Sequence, residues 1–246
     1  MIQKMFSLVI LLTLGFASFS VADDSDIVSK LEGEIFFLKR DGEILNLYTS
    51  DAKLSKVRMV YSHKGKGDQN DSIIGFYYDV KKDVVYFQAI KDGKWSLYSI
   101  GIGGNEPVLI NQLLVSKNLI NVKEFIREEH YIKPVAGEME AVNRNGSLYL
   151  VNKEKEVLLK KYHGFYDEKF SSGYVPIGFS PDNKYLVYYW SGHWTGFGTM
   201  LAGFIKQLFG SYNMGNLYIM ELETMKTNKY LPAPANKIQW VMDRKE

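Results

Sequence analysis

The sequence predicts an all-β fold, a small β-propeller of about four four-stranded blades, with a fifth blade as the alternative. Its ring is closed by a C-terminal strand pairing with the N-terminal blade, and it carries one helical insertion. Three observations predict this. Ile74–Phe87 (IGFYYDVKKDVVYF) aligns without a gap with Ile177–Trp190 (IGFSPDNKYLVYYW), sharing Ile, Gly, Phe, Asp, Lys, Val and Tyr. Such self-similarity is the mark of a repeat architecture. The pair Leu-Tyr opens an apolar run at Leu47-Tyr48, Leu97-Tyr98, Leu148-Tyr149 and Leu217-Tyr218, the last delayed by an insertion. Third, Leu186, Tyr188 and Trp190 alternate with Val187 and Tyr189, so this strand is apolar on both faces. A one-sided sheet alternates apolar with polar, whereas small sheets stacked face to face bury both.

In chain order, Met1–Ala22 reads as a signal peptide. Lys4 precedes an apolar run from Met5 to Phe16, and Ser20-Val21-Ala22 puts small residues at the expected cleavage positions near Ala22. The run is too short for a membrane span of about 20 residues. Residues 23–246 then form a single propeller domain, long enough for a sizeable core. The chain has no cysteine, so an exported form relies on its core rather than on disulfides, and no lipid-bearing Cys follows the cleavage site. The expected location is periplasmic, or secreted from a host with one membrane.

Each unit reads as four short strands. The first ends at a turn such as Ser180-Pro181-Asp182-Asn183, where Pro presets φ and Asp and Asn bond back to the backbone. The second is Ile35–Leu38, Val84–Phe87 or Leu186–Trp190. Hairpin turns follow at Asp41-Gly42, Asp92-Gly93, Asn145-Gly146 and Ser191-Gly192. The Leu-Tyr strand is third. Val57–Tyr61, Pro107–Ile110, Val157–Lys160 and Asn228–Leu231 supply more polar fourth strands. The first strand of the Leu148 unit is not placed by pattern, and Asn121–Tyr174 is where a fifth blade would lie. At the end of the chain, Ile238–Lys245 repeats the I-x-aromatic-x-x-D-x-K start of the unit, while the N-terminal unit lacks that strand. The tail therefore completes the first blade and removes an open sheet edge. An open β-repeat sheet is the alternative.

Ile177–Trp190 with Asn216–Glu221 (NLYIME) resembles the repeat of TolB-type β-propellers, in which an S-P-D-G-like turn precedes a strand and an L-Y-x-x-D strand follows. Here Asn183 stands at the Gly position and Glu221 at the Asp position. The Ile74 unit keeps Asp79 but has Tyr77-Tyr78 for Ser-Pro. The resemblance is specific over Ile177–Glu221. It implies propeller architecture for most of the mature chain, in an exported bacterial protein.

Composition and motifs narrow the function. The net charge is +2, without the clustered positive surface that nucleic acid demands. His63–Asp71 (HKGKGDQND) matches neither a phosphate loop nor a calcium loop and reads as a solvated connection between blades. Val122–His130 reads as a short charged helix. No G-x-S-x-G elbow occurs, and His63, His130, His163 and His193 lack metal-ligand spacing, so no catalytic, cofactor or metal residue is assigned.

The insertion Gly192–Gly215 interrupts the hairpin of the clearest unit. After the aromatic lead-in His193, Trp194 and Phe197, the residues Met200, Leu201, Phe204, Ile205, Leu208 and Phe209 fall on one stripe of a helix. The stripe either covers an apolar patch of the propeller or docks a partner. A membrane-surface contact is the weaker reading, because its polar face carries one Lys. His193 and Trp194 could also line an aromatic ligand pocket. Two function classes follow. One is a non-enzymatic module engaging a protein or envelope component through its loop face and these residues. The other is a small-ligand binder or hydrolase taking glycan or peptide at the channel.

Overall fold

A computed structural model of the chain describes residues 25–41, 44–64, 73–91, 94–103, 106–112, 128–164, 173–191, 216–231 and 235–242. The signal segment Met1–Ala22, residues 65–71 of the polar loop His63–Asp71, and the whole insertion 192–215 lie outside them. A short helix α1 (Ser25–Ser29) precedes four four-stranded antiparallel sheets with the form of propeller-like blades. The first holds β1 (Glu34–Asp41), β2 (Ile44–Asp51) and β3 (Arg58–Lys64). The second holds β4 (Ile73–Asp79), β5 (Val84–Lys91), β6 (Lys94–Gly101) and β7 (Val108–Gln112). The third holds β8 (Val135–Ala136), β9 (Met139–Arg144), β10 (Ser147–Val151) and β11 (Glu156–Lys160). The fourth holds β12 (Gly173–Phe179), β13 (Tyr185–Ser191), β14 (Leu217–Glu221) and β15 (Thr227–Lys229). The last strand, β16 (Ala235–Val241), joins the first sheet, antiparallel to β1, with Ile35 opposite Trp240 and Phe37 opposite Ile238.

Two-sided burial follows from the period of two along each inner strand. On β1, Ile35 and Phe37 pack with Tyr185, Val187, Leu217 and Ile219 of the fourth sheet. Their neighbours Phe36 and Leu38 pack with Phe76, Tyr78, Val85 and Phe87 of the second. On β13, Leu186 and Tyr188 turn the other way, onto Ala136, Ala141 and Leu148 of the third. Clusters thus join sheets one and two, three and four, and four and one.

Polar groups stitch the innermost strands. Gln239 of β16 accepts from Tyr78 N (2.8 Å) and donates through Nε2 to Tyr78 O (3.1 Å). Tyr131 donates its hydroxyl to Phe76 O and accepts from Phe76 N, and burial holds its pKa up at about 12. Ile132 N donates to Ile238 O and Phe179 N to Lys133 O. A Cβ on Gly178 would stand 2.6 Å from the Ile132 carbonyl carbon and the Lys133 nitrogen, so glycine permits this approach.

The repeat is a repeat of irregularities. β12 shifts register between Pro176 and Gly178, and β4 between Ile73 and Gly75, the equivalent glycine of the aligned unit. Each third strand shifts at its Leu-Tyr pair, between Leu47 and Tyr48, Leu97 and Tyr98, and Leu148 and Tyr149. The residues left over on the partner strand are Val60, Ile110 and Leu159. In the fourth sheet Tyr218 pairs with Lys229 while Leu217 bonds with both Leu231 and Tyr230, leaving Tyr230 in that role. Each is a β-bulge, which bends a strand and raises local twist.

Several expectations need correction. His63 is not in a solvated loop. β3 runs on through Lys64, paired with β2, and His63 is buried with its Nδ1 2.9 Å from the Tyr61 hydroxyl. Trp190 is 38% exposed rather than inner, because the β13–β14 ladder begins only at Tyr189 opposite Leu217. Within Val122–His130 the described part, Glu128–His130, is a single 3-10 turn. Between Asn121 and the start of β12, the described residues hold one sheet, the third.

Candidate functional site: the root of the insertion

Antiparallel order puts the connections of a sheet at two ends. In the fourth sheet one end carries the tight turn between β12 and β13. Ser180 Oγ accepts from Tyr185 N (3.0 Å) and donates to Asp182 Oδ1 (2.6 Å), and Asn183 takes φ 60°. Burial pushes the Asp182 carboxyl up, but the hydrogen bonds from Ser180 and Lys184 and the Lys184 charge outweigh it and leave the pKa lowered. The opposite end carries the insertion, between Ser191 and Asn216. All nine residues expected to bind a partner, from His193 and Trp194 through Phe197, Met200, Leu201, Phe204, Ile205, Leu208 and Phe209, lie outside the described residues.

The scaffold from which they spring is described. Trp190 pairs across β12 with Tyr174, and Tyr188 pairs with Tyr218. Tyr188 sets its ring edge-on to Tyr174 (5.9 Å between centroids) and parallel to Tyr218 (5.6 Å). Tyr162 stands edge-on to Tyr174 at 6.5 Å. The neighbouring sheet closes in from below: Tyr174 N donates to Gly146 O, and Asn143 Nδ2 donates to Tyr174 O (2.6 Å). A Cβ on Gly173 (φ 101°) would run into the Gly146 backbone, so glycine is required there. Lys160, at the end of β11, lies over both ring faces, 5.7 Å from the Tyr174 centroid and 5.8 Å from that of Tyr188.

Among the described residues, the strip is electrostatically one cation among phenols. Burial lowers the Lys160 pKa, and among the described residues no carboxylate pairs with it. Burial raises the Tyr174 pKa, helped by Tyr218 and Tyr162, and burial raises that of Tyr188 strongly. The site therefore offers ring faces, phenolic hydroxyls and one ammonium. Sequence reasoning missed Lys160, Tyr162, Tyr174 and Tyr218. The signal available was a lysine closing an apolar strand (Val157-Leu158-Leu159-Lys160), which reads equally as a solvated strand end.

The other histidines do other things. His130 stacks on Tyr77 at 3.9 Å, and His163 is exposed. Among the described residues no group of three His, Cys, Asp or Glu could hold a metal ion. Nor is any described helix long and apolar enough to cross a membrane.

No protein-family model matches the sequence, and no curated protein matches it. Solved structures similar to it include TolB from Acinetobacter baumannii, 11% identical, covering 80% of this chain and 41% of that one, with a TM-score of 0.29. Another is the acylaminoacyl peptidase of Pyrococcus horikoshii, 12% identical, covering 80% of this chain and 30% of that one, with a TM-score of 0.25. The chain thus spans less than half the length of either.

Proposed function

We propose that the protein is an exported, non-enzymatic binding module of the cell envelope. In this reading Met1–Ala22 is removed on export to the periplasm. The four sheets form a propeller ring whose first blade is completed by the C-terminal strand. The insertion 192–215 engages a protein or another envelope component. The observation that carries the reading is where the insertion is rooted. It leaves β13 beyond the last β13–β14 pair, beside an exposed Trp190 and a half-buried row of tyrosines. Loops carried on a rigid scaffold are where binding residues concentrate, and exposed aromatic residues are favoured anchors of interfaces.

The test replaces Thr195–Tyr212 by a short Gly-Ser link and compares crosslinked envelope partners with those of the wild type. A variant that melts like the wild type but loses a specific partner is the expected outcome. A variant that unfolds makes the stripe a cover for the core, and one that keeps every partner places binding elsewhere; either result sinks the reading.

A further inference from the structure

We propose that Lys160, Tyr174, Tyr218 and Trp190 form a subsite for a sugar ring bearing a carboxylate, at the root of the insertion. The proposal rests on the binding-module reading and names the chemistry this part of the surface selects.

The first argument comes from the repeat itself. After the bulged residue, the first and fourth sheets place an apolar side chain that packs on the neighbouring sheet, whereas the second has Asn111 there. The first sheet places Tyr61 there, packed against Phe87 with ring centroids 4.4 Å apart, and the fourth places Leu231, 2% exposed. The third sheet places Lys160 in the same slot. A charged side chain where two of the other three sheets place an apolar one points to a requirement other than packing. An ammonium drawn partly out of water, with no carboxylate paired to it among the described residues, carries a standing cost. The two tyrosine faces offset only part of it, because both centroids lie near the 6 Å limit of such contacts. A ligand anion would supply the partner that the described residues do not.

The second argument is the choice of anion and of what it is attached to. One lysine and no arginine suits a single negative charge better than a phosphate group, which is favoured by forked guanidinium contacts. The ammonium lies over the half-buried Tyr174 ring. Through pairing with Tyr174 the strip continues to Trp190, 38% exposed, and through pairing with Tyr188 to the half-buried Tyr218, so that flat apolar surfaces with polar tips adjoin the charge. Neither the Tyr174 nor the Tyr218 hydroxyl has a hydrogen-bond partner among the described residues, whereas that of Tyr188 is held at 3.4 Å from Thr227. A pyranose offers the complement, with C–H groups for a ring face, hydroxyls for the phenols and a carboxylate for Lys160.

The test is ligand-observed saturation-transfer NMR on the full chain with D-glucuronate, D-glucose and acetate as probes. The expected result is transfer to the ring protons of glucuronate, weaker transfer to glucose, and no displacement of glucuronate by equimolar acetate. Lys160→Met keeps the apolar stem and removes the charge, and it should weaken glucuronate about tenfold, the effect of one charge-assisted contact. Lys160→Arg should retain binding, and it carries the comparison if the Met variant melts early. Equal transfer to glucose and glucuronate, displacement by acetate, or unchanged binding in Lys160→Met each overturns the proposal. A carboxylate-ending peptide that binds where glucuronate does not overturns it as well. Retained partner capture in Lys160→Met separates failure of this subsite from failure of the binding-module reading.

Discussion

Ser180 shows how much one side chain fixes in a turn with so few backbone bonds. Its hydroxyl accepts from Tyr185 N, its own N–H donates to Tyr185 O, and its carbonyl accepts from Asn183 N. Ser180→Ala leaves the Tyr185 N–H without that acceptor beside a buried ring. The expected loss in urea unfolding is about 1–3 kcal/mol. Asp182 adds a pH signature. Its carboxyl sits below the ordinary value of 3.8 despite partial burial, because Ser180 and Lys184 favour the charged form. A carboxyl lowered in the folded state stabilises fully above its unfolded pKa, and that contribution is lost as pH falls through the folded value. Asp51 shifts the same way: burial raises it, but bonds from Ser55, Lys56 and Ser50 win. Asp51→Asn with Asp182→Asn should therefore cost stability at neutral pH and converge with the wild type in strong acid. A constant gap across the whole range would contradict the assignment.

At the scale of the strand, the Leu-Tyr pair is where sequence and structure part company in an instructive way. The pair is plain in the sequence and marks the third strand of every sheet. What it does there is not legible, because a bulge is a property of two strands and the sequence shows one at a time. The same limit explains Trp190: its place in an apolar run predicted burial, but exposure was decided by where β14 begins. The aligned Gly75 and Gly178 were legible as a repeat, and the reason for Gly178, a backbone crossing at Ile132-Lys133, was not. The bulged residues make a graded prediction. Val60 is 5% exposed against the second sheet, Tyr230 is 6% exposed against the first, and Leu159 packs on the third–fourth cluster. Ile110 holds the same position in the second sheet but is 48% exposed. Tyr230→Ala and Val60→Ala should each cost about 2–4 kcal/mol, whereas Ile110→Ala should stay within about 0.5 kcal/mol. Equal losses at all these sites in denaturant titrations would mean that Ile110 is covered as well as its counterparts.

At the scale of the whole molecule, the first sheet is built from the two ends of the chain. Trp240 Nε1 donates to Glu32 O across 208 residues of sequence, at 2.8 Å. Such a contact carries a large loop-closure entropy, and it holds because much rests on it. β16 supplies Ile238 and Trp240 to the cluster between sheets one and four, and it supplies Gln239 to Tyr78 of the second sheet. Removing 238–246 therefore exposes the edge of β1, opens an apolar cluster and leaves both Tyr78 backbone groups without their side-chain partner. A buried Trp alone is worth about 3–5 kcal/mol on truncation, and a domain's whole stability is about 5–15 kcal/mol. The truncated chain should lose its cooperative thermal transition or melt far below the wild type. A synthetic 235–246 peptide added in trans should restore the transition in a concentration-dependent way, because the groove it fills is formed by β1, β4 and the Tyr131–Lys133 segment. An unchanged melting curve after truncation would mean that the terminal strand decorates the first sheet without holding its neighbours together. The proposed propeller ring would then lack its clasp, and an open array of sheets would become the better account.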